Sequence, residues 1–319
     1  MEDKNNKLLQ IVIPLLDTDL PTFRRGYPYI LKNLPCKEII LIGNERLRLA
    51  VQGMKQVRFA NENEIIPGLT FAAVKKLKIE LSGTGRRTGW YFQQFLKMGY
   101  AEVCEDEYYL VWDSDTIPLH PISFFDEDKP YLAYRAFVNE DKCYDWAQSK
   151  LLPDSALAKK QHLSFIAEHM LFKVSFMQEL LRAIEANNEN YGKFFFEKIM
   201  NCVPKSVINL SGFSEFEAYA AYVQGGHQGF YKLRKWNNCR DAAAYIGRKP
   251  SPEDLSWVGQ IFDTASIEDF YRERISCKLI NAVDKHHKKI PFKSVYKFLH
   301  PIVNDEMRLR GILRNLIKR

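Results

Sequence analysis

What this chain lacks narrows its identity before any motif is read. Its 319 residues include six cysteines, Cys36, Cys104, Cys143, Cys202, Cys239 and Cys277, with no C-x-x-C pair and no histidine at metal spacing. That argues against a zinc centre and for reduced thiols. No apolar run approaches the roughly 18 residues that a spanning helix needs. The opening MEDKNNKLLQIVIPLL carries acids and lacks a small-residue cleavage signal, so it does not read as a secretory leader and a cytoplasmic chain is expected. No internal repeat, low-complexity tract or Pro/Gly-rich linker divides the sequence; the expected organisation is one catalytic-type domain with a tail. The first strand's exit, IPLLDTDLP, has no glycine-rich phosphate loop. Its absence counts against a metal-dependent nucleotidyltransferase or phosphohydrolase.

Charge is absent from most of the chain in net terms. The formal total is +7, yet residues 285–319 hold ten Lys and Arg against two acids while the remainder holds 36 against 37. A neutral body lacks the interleaved basic and aromatic platforms of a nucleic-acid binder, and no nucleic-acid partner is expected. The tail VNDEMRLRGILRNLIKR puts Leu309, Ile312, Leu313, Leu316 and Ile317 on one helical arc with Arg308, Arg310, Arg314, Lys318 and Arg319 around the rest. This is the pattern of a helix lying on an anionic membrane; docking on the body or on a dimer partner is the alternative.

What is present is an alternation of strand and helix. LLQIVIPLL, KEIILIG and QVRFA read as strands, the first two as apolar runs covered on both faces. TFRRGYPYILKNL has the length of a crossover, although Pro28 limits how much of it is regular helix. A basic loop, SGTGRRTG, and a helix, WYFQQFLKMGYAEVC, lead into the strand YYLVW. This is the alternation of a doubly wound α/β sheet, whose ligands bind beyond the carboxyl ends of the strands. Further on, SFIAEHMLFKVSFMQELLRAI reads as a strand passing into a helix, NYGKFFFEKIMNCV as a helix, and QGFYKLRKW as a short returning strand. SEFEAYAAYV reads as a helix with a capping box of Ser214 and Glu217.

The strand YYLVW runs straight into Asp113 and Asp115. Residues two apart on an extended chain point the same way, and two converging carboxylates call for a hard divalent cation, Mn²⁺ or Mg²⁺, with positions left for substrate phosphates. A turn with an Asx cap is the plain alternative.

Four segments, GWYFQQFLKM (89 to 98), VWDSDTIPL (111 to 119), FIAEHMLF (165 to 172) and FSEFEAYAAYV (213 to 223), resemble in this order a bacterial family of glycosyltransferase-like proteins from polysaccharide and lipopolysaccharide gene clusters. The resemblance covers roughly residues 8–245. It implies the fold-A (GT-A) glycosyltransferase architecture, a Rossmann-like α/β domain with a mixed central sheet over residues 1–250. The donor half would end near residue 120, the acceptor half would follow, and residues 251–319 would form a helical basic tail. It also implies transfer from a nucleotide-diphosphate sugar, UDP-hexose or UDP-galactofuranose, to a cell-surface glycan or lipid-linked acceptor. The setting would be the inner face of the cell membrane, with a homodimer as a further option.

On that reading the candidate residues take roles. Asp113 and Asp115 hold the metal, with His227 as a third ligand. Asp17, at the first strand's exit, meets the nucleotide. Trp90, Gln93, Gln94 and Lys97, at spacings 0, 3, 4 and 7, form one helix face for base or ribose, or else a polar surface face. Arg86 and Arg87 close over phosphates, or form a solvated basic loop. Glu168 and His169 interrupt an apolar strand and face the sugar, or Glu168 meets a nearby arginine. Glu215 or Glu217 is the acceptor base, with Glu168 in reserve. Arg234, with Lys232, Lys235 and Arg240, neutralises the leaving diphosphate.

Overall fold

The apolar runs of the first half become strands because both of their faces are covered. The computed structural model describes residues 7–136, 163–188, 191–210, 212–268 and 290–317, with Tyr144, Trp146, Lys150 and Leu151 between them. In it, β1 (Leu9–Pro14), β2 (Cys36–Gly43), β3 (Val57–Asn61) and β4 (Tyr108–Trp112) lie parallel in the order β3-β2-β1-β4. The later strand β9 (His169–Lys173) pairs antiparallel with β4, Trp112 opposite His169, which makes the sheet mixed. The strand order steps outward in both directions from β1, the Rossmann-like α/β arrangement that was expected.

Contacts divide the chain into two units. The first comprises residues 1–21, 35–114 and 123–236. Besides the mixed sheet it contains a smaller one, in which β7 (Lys129–Ala136) pairs with β10 (Lys232–Lys235), β6 (Phe125–Asp126) and β8 (Leu163–Ser164). Helices α2 (Arg46–Val51), α3 (Phe71–Ser82) and α4 (Thr88–Gly99) also belong here. Phe95 of α4 meets the rings of Tyr91, Phe195, Phe196 and Phe213. Tyr109 of β4 donates its hydroxyl to the Lys97 carbonyl at 2.9 Å, tying the end of α4 to the sheet. Much of the chain's aromatic content therefore goes into packing.

The second unit comprises residues 22–34, 115–122 and 237–319. Its sheet joins β5 (Thr116–Pro118), β11 (Asn238–Cys239) and β12 (Thr264–Ser266). Most of α1 (Leu20–Asn33) lies in it, and the limit expected at Pro28 is not met: the helix runs through that residue. One backbone bond is forfeited, while buried Phe23, Gly26 and Ile30 keep the helix in place. The tail forms the helix Phe292–Ile317, and its first turns are docked. Phe292, Leu299 and Val303 are buried with Tyr245, Leu255 and Trp257, whereas Phe298 stands 75% exposed. Among the described residues no helix is long and apolar enough to cross a membrane.

Candidate active site

Three strand ends and one helix start enclose a cavity of about 420 Å³ in the first unit. Leu15, Leu16 and Asp19 follow β1, Asn44 follows β2 and Glu62 follows β3; Phe71 of α3 and Gly89, Trp90, Gln93 and Leu96 of α4 are among the other residues of the wall. Gly43 makes the close approach of the strands possible. A Cβ there would lie 2.8 Å from the Leu15 carbonyl oxygen and 2.5 Å from Leu47 Cδ1, and the two exits are joined by the Leu15 amide donating to Ile42 at 2.8 Å.

The polar groups at this cavity differ in how far they are engaged. Asn44 Nδ2 donates to Asp17 Oδ1 at 2.8 Å, while Asn44 Oδ1 accepts from the Arg46 amide at 3.0 Å. Asp17 also lies 3.8 Å from the Arg46 guanidinium. Gln93 Nε2 reaches the Pro14 carbonyl at 3.5 Å. Among the described residues nothing hydrogen-bonds or ion-pairs with the Glu62 carboxylate. Burial, and then the negative charge of Asp17, raise its pKa. Apolar and aromatic walls with a few polar groups, at the carboxyl ends of parallel strands, suit a planar heterocycle and its ribose.

Deeper in the same unit, α4 meets two carboxylates. Lys97 Nζ donates to Asp113 Oδ1 at 2.6 Å and to Glu215 Oε1 at 2.8 Å, and lies 4.7 Å from the centre of the Phe216 ring. The side chains of Lys97 and Glu215 are each 4% exposed and that of Asp113 27%, so Asp113 is the member open to a ligand. Burial pulls the Lys97 pKa down, but Asp113 and Glu215 more than offset it, and the ammonium stays charged. For Glu215 burial pushes up, Lys97 draws down and Asp113 pushes up again; the net shift is upward. One cation between two carboxylates leaves a negative balance at the end of β4.

The four-residue stripe expected on α4 is therefore divided. Trp90 and Gln93 line the cavity, whereas Gln94 and Lys97 are buried against the helix Glu215–Gly226. Gln94 Oε1 accepts from the Glu215 amide at 3.1 Å. Ser214 caps that helix, accepting from the Glu217 amide at 3.3 Å, but the reciprocal half of the expected capping box is not formed. Glu217 Oε1 accepts instead from Ser164 Oγ at 3.0 Å and the Phe165 amide at 2.9 Å.

Glu168 does not sit in a strand as expected. It precedes β9 with a left-handed φ of +58°, a backbone that costs a non-glycine residue about 1 kcal/mol or more. There its carbonyl accepts from the Asp113 amide at 3.0 Å, and Arg135 bonds the nearby Ile166 carbonyl at 2.9 Å. His169 is buried among Trp112, Phe124 and Trp236, and burial followed by the charge of Arg234 lowers its pKa to about 3. Arg234 itself stacks on Tyr131 and Trp236 and donates to the Ser123 carbonyl. Arg86 and Arg87 are exposed, Arg87 with φ +68° just before α4.

His227 is not brought to Asp113. It ends the helix that Glu215 begins, about 18 Å along the axis, where it stacks on Phe176 and lies 3.0 Å from Glu179. Asp115 opens a segment of the second unit, its carbonyl accepting from the Ile267 amide. Among the described residues no group of three or more His, Cys, Asp or Glu is placed to hold a metal, and one oxygen of Asp113 is already engaged by Lys97. These residues do not fit a resident metal centre of the kind expected.

Asn44, Glu62 and Phe71 were missed from sequence. The first two had a signal, since each is the polar residue that directly follows a strand of the parallel sheet.

The first unit is thus a mixed-sheet α/β fold with a cavity at the carboxyl ends of its parallel strands and an acidic strand end beside α4. The chain belongs to a family of unknown function (DUF6492), which matches residues 47–297. Among solved structures it is similar to mouse xyloside xylosyltransferase 1, with 11% identity and a TM-score of 0.41 over 73% of this chain and 88% of that one. It is similar also to the galactosyltransferase LgtC, with 11% identity and a TM-score of 0.39 over 81% and 86%. GlyE of Streptococcus pneumoniae gives 10% identity and a TM-score of 0.39 over 91% and 64%. No curated protein matches.

Proposed function

We propose that the chain is a glycosyltransferase that takes a sugar from a nucleoside-diphosphate donor. The observation that carries this reading is the cavity at the ends of β1, β2 and β3, lined by Trp90 and Gln93 of the same helix whose Lys97 holds Asp113 at the end of β4. The base and ribose enter the cavity, and the diphosphate lies toward Asp113. A Mn²⁺ or Mg²⁺ arriving on the donor would need only one or two carboxylates from the protein, and Asp113, of which Lys97 engages Oδ1, would supply one.

Glu168, Glu215 and Glu217 are all 5% exposed or less. A base must reach the proton that it takes, so these three are assigned to holding the site, Glu215 through Lys97. The uridine donors rest on the family resemblance alone. Donor hydrolysis with a panel of nucleotide sugars and Mn²⁺ tests the reading. Release of nucleoside diphosphate by the native chain, lost in Asp113→Asn, is expected; no release with any donor, or full release by the variant, contradicts it.

The acceptor is proposed to be a cell-surface or lipid-linked glycan, with the end of the tail attaching to an anionic surface at about 1 kcal/mol per basic residue near it. Ending the chain at Asn304 keeps the buried Phe292, Leu299 and Val303. It should abolish sedimentation with anionic vesicles at an unchanged unfolding midpoint. If the full chain does not sediment, or the shortened one unfolds, the tail is a packing element instead.

A further inference from the structure

The uncommitted carboxylate of Glu62 bears on which nucleotide the cavity takes, an inference that rests on the proposed donor site. Most of the lining is hydrocarbon or aromatic. Of its polar groups, Asp19 accepts from Thr18 Oγ1 at 3.2 Å, Asn44 is engaged through both ends of its amide and Gln93 leans on the Pro14 carbonyl. Glu62 alone among these four offers a full acceptor pair: its amide is tied to Gly43 at 2.9 Å, which fixes the residue at the end of β3, and no cation among the described residues neutralises its carboxylate. Burial and Asp17 make it costly to leave charged without a partner.

The bases differ in what they present to such a group. Guanine carries two adjacent donors, N1–H and the 2-amino group, which match the two oxygens of a carboxylate. Uracil offers one N–H between two carbonyls that a carboxylate repels, and adenine and cytosine each set an amino group beside a ring acceptor. A site built around an acceptor pair penalises every base that leaves one of its oxygens unpaired. We infer that the cavity selects a guanine nucleotide, read by the Glu62 carboxylate, and that the donor is a guanosine-diphosphate sugar.

Calorimetry on the full chain with GDP, UDP, ADP and CDP tests this, at neutral pH with Mg²⁺ present. GDP should bind at least about tenfold more tightly than the other three, the effect of one hydrogen bond to a charged group. In Glu62→Gln the carboxylate becomes one acceptor and one donor, so the GDP preference should fall away. Xanthosine diphosphate, whose ring presents N1–H beside a carbonyl, should gain affinity in that variant, which a merely structural role for Glu62 would not produce. Equal affinity for all four nucleotides means that the carboxylate reads ribose; tighter binding of UDP means that another group reads the base. Either overturns the inference while leaving the donor-site reading in place. Binding of none of them overturns both.

Discussion

Two flanks of α4 carry similar residues into opposite circumstances. On one, Trp90 and Gln93 border an open cavity; on the other, Gln94, the residue after Gln93, and Lys97 are sealed against Glu215. All four belong to one polar stripe, and a stripe announces only that hydrogen-bonding groups share a helix face. Whether they serve a ligand or each other depends on what packs opposite. Here the helix beginning at Glu215 covers the second half of the stripe and nothing among the described residues fills the space beside the first. The sealed half is the more consequential for stability, because a buried charge that loses its partner is strongly destabilising. The open half is the more consequential for binding.

The largest effect should come from Lys97→Met. Removing the ammonium leaves Glu215 buried beside Asp113 with no cation between them, which should cost about 3–5 kcal/mol, read by urea unfolding. Adding Glu215→Leu should recover part of the loss. Should Lys97→Met keep its stability and lose only nucleotide binding, the lysine belongs with the ligand-facing half and the contrast between the two flanks disappears.

A second effect, spread over several pH units and modest within any one of them, concerns His169, which opens β9 opposite Trp112, the residue before Asp113. Its folded pKa of about 3 lies below the ordinary value near 6.5 in the unfolded chain, so below that value the unfolded state binds the extra proton. The contribution of a neutral His169 is complete above about pH 6.5 and declines as the pH falls toward 3, by at most about 1.4 kcal/mol per unit. Relative to His169→Gln, the native chain should lose stability over that window. Parallel curves for the two proteins would mean that the ring takes up its proton inside the fold.

Much of the architecture was legible because it follows from local pattern. LLQIVIPLL and KEIILIG could only be covered strands, and Ser214 caps the helix that its position announced. Pro28 misled because a proline's cost is finite and the packing of α1 exceeds it. Glu168 misled because the apolar run through FIAEHMLF conceals a left-handed residue, and no composition signal marks φ. The cavity was only half legible. Trp90 and Gln93 were found through helical spacing, but Glu62 and Phe71 reach it from separate loops and helices, and their meeting depends on the order β3-β2-β1-β4. The pairing of Lys97 with Glu215, 118 residues apart, is of the same non-local kind.

Titration calorimetry of nucleoside diphosphates into the native chain and into Trp90→Leu bears most directly on the central claim, that the cavity beside α4 is where the donor nucleotide binds. Leucine keeps an apolar side chain at the wall but removes the aromatic face. If a base stacks there, affinity should fall about tenfold or more, given the roughly 1–3 kcal/mol that base–aromatic stacking contributes, at a nearly unchanged unfolding midpoint. Native-level affinity in Trp90→Leu, or no nucleotide binding by the native chain, would contradict it.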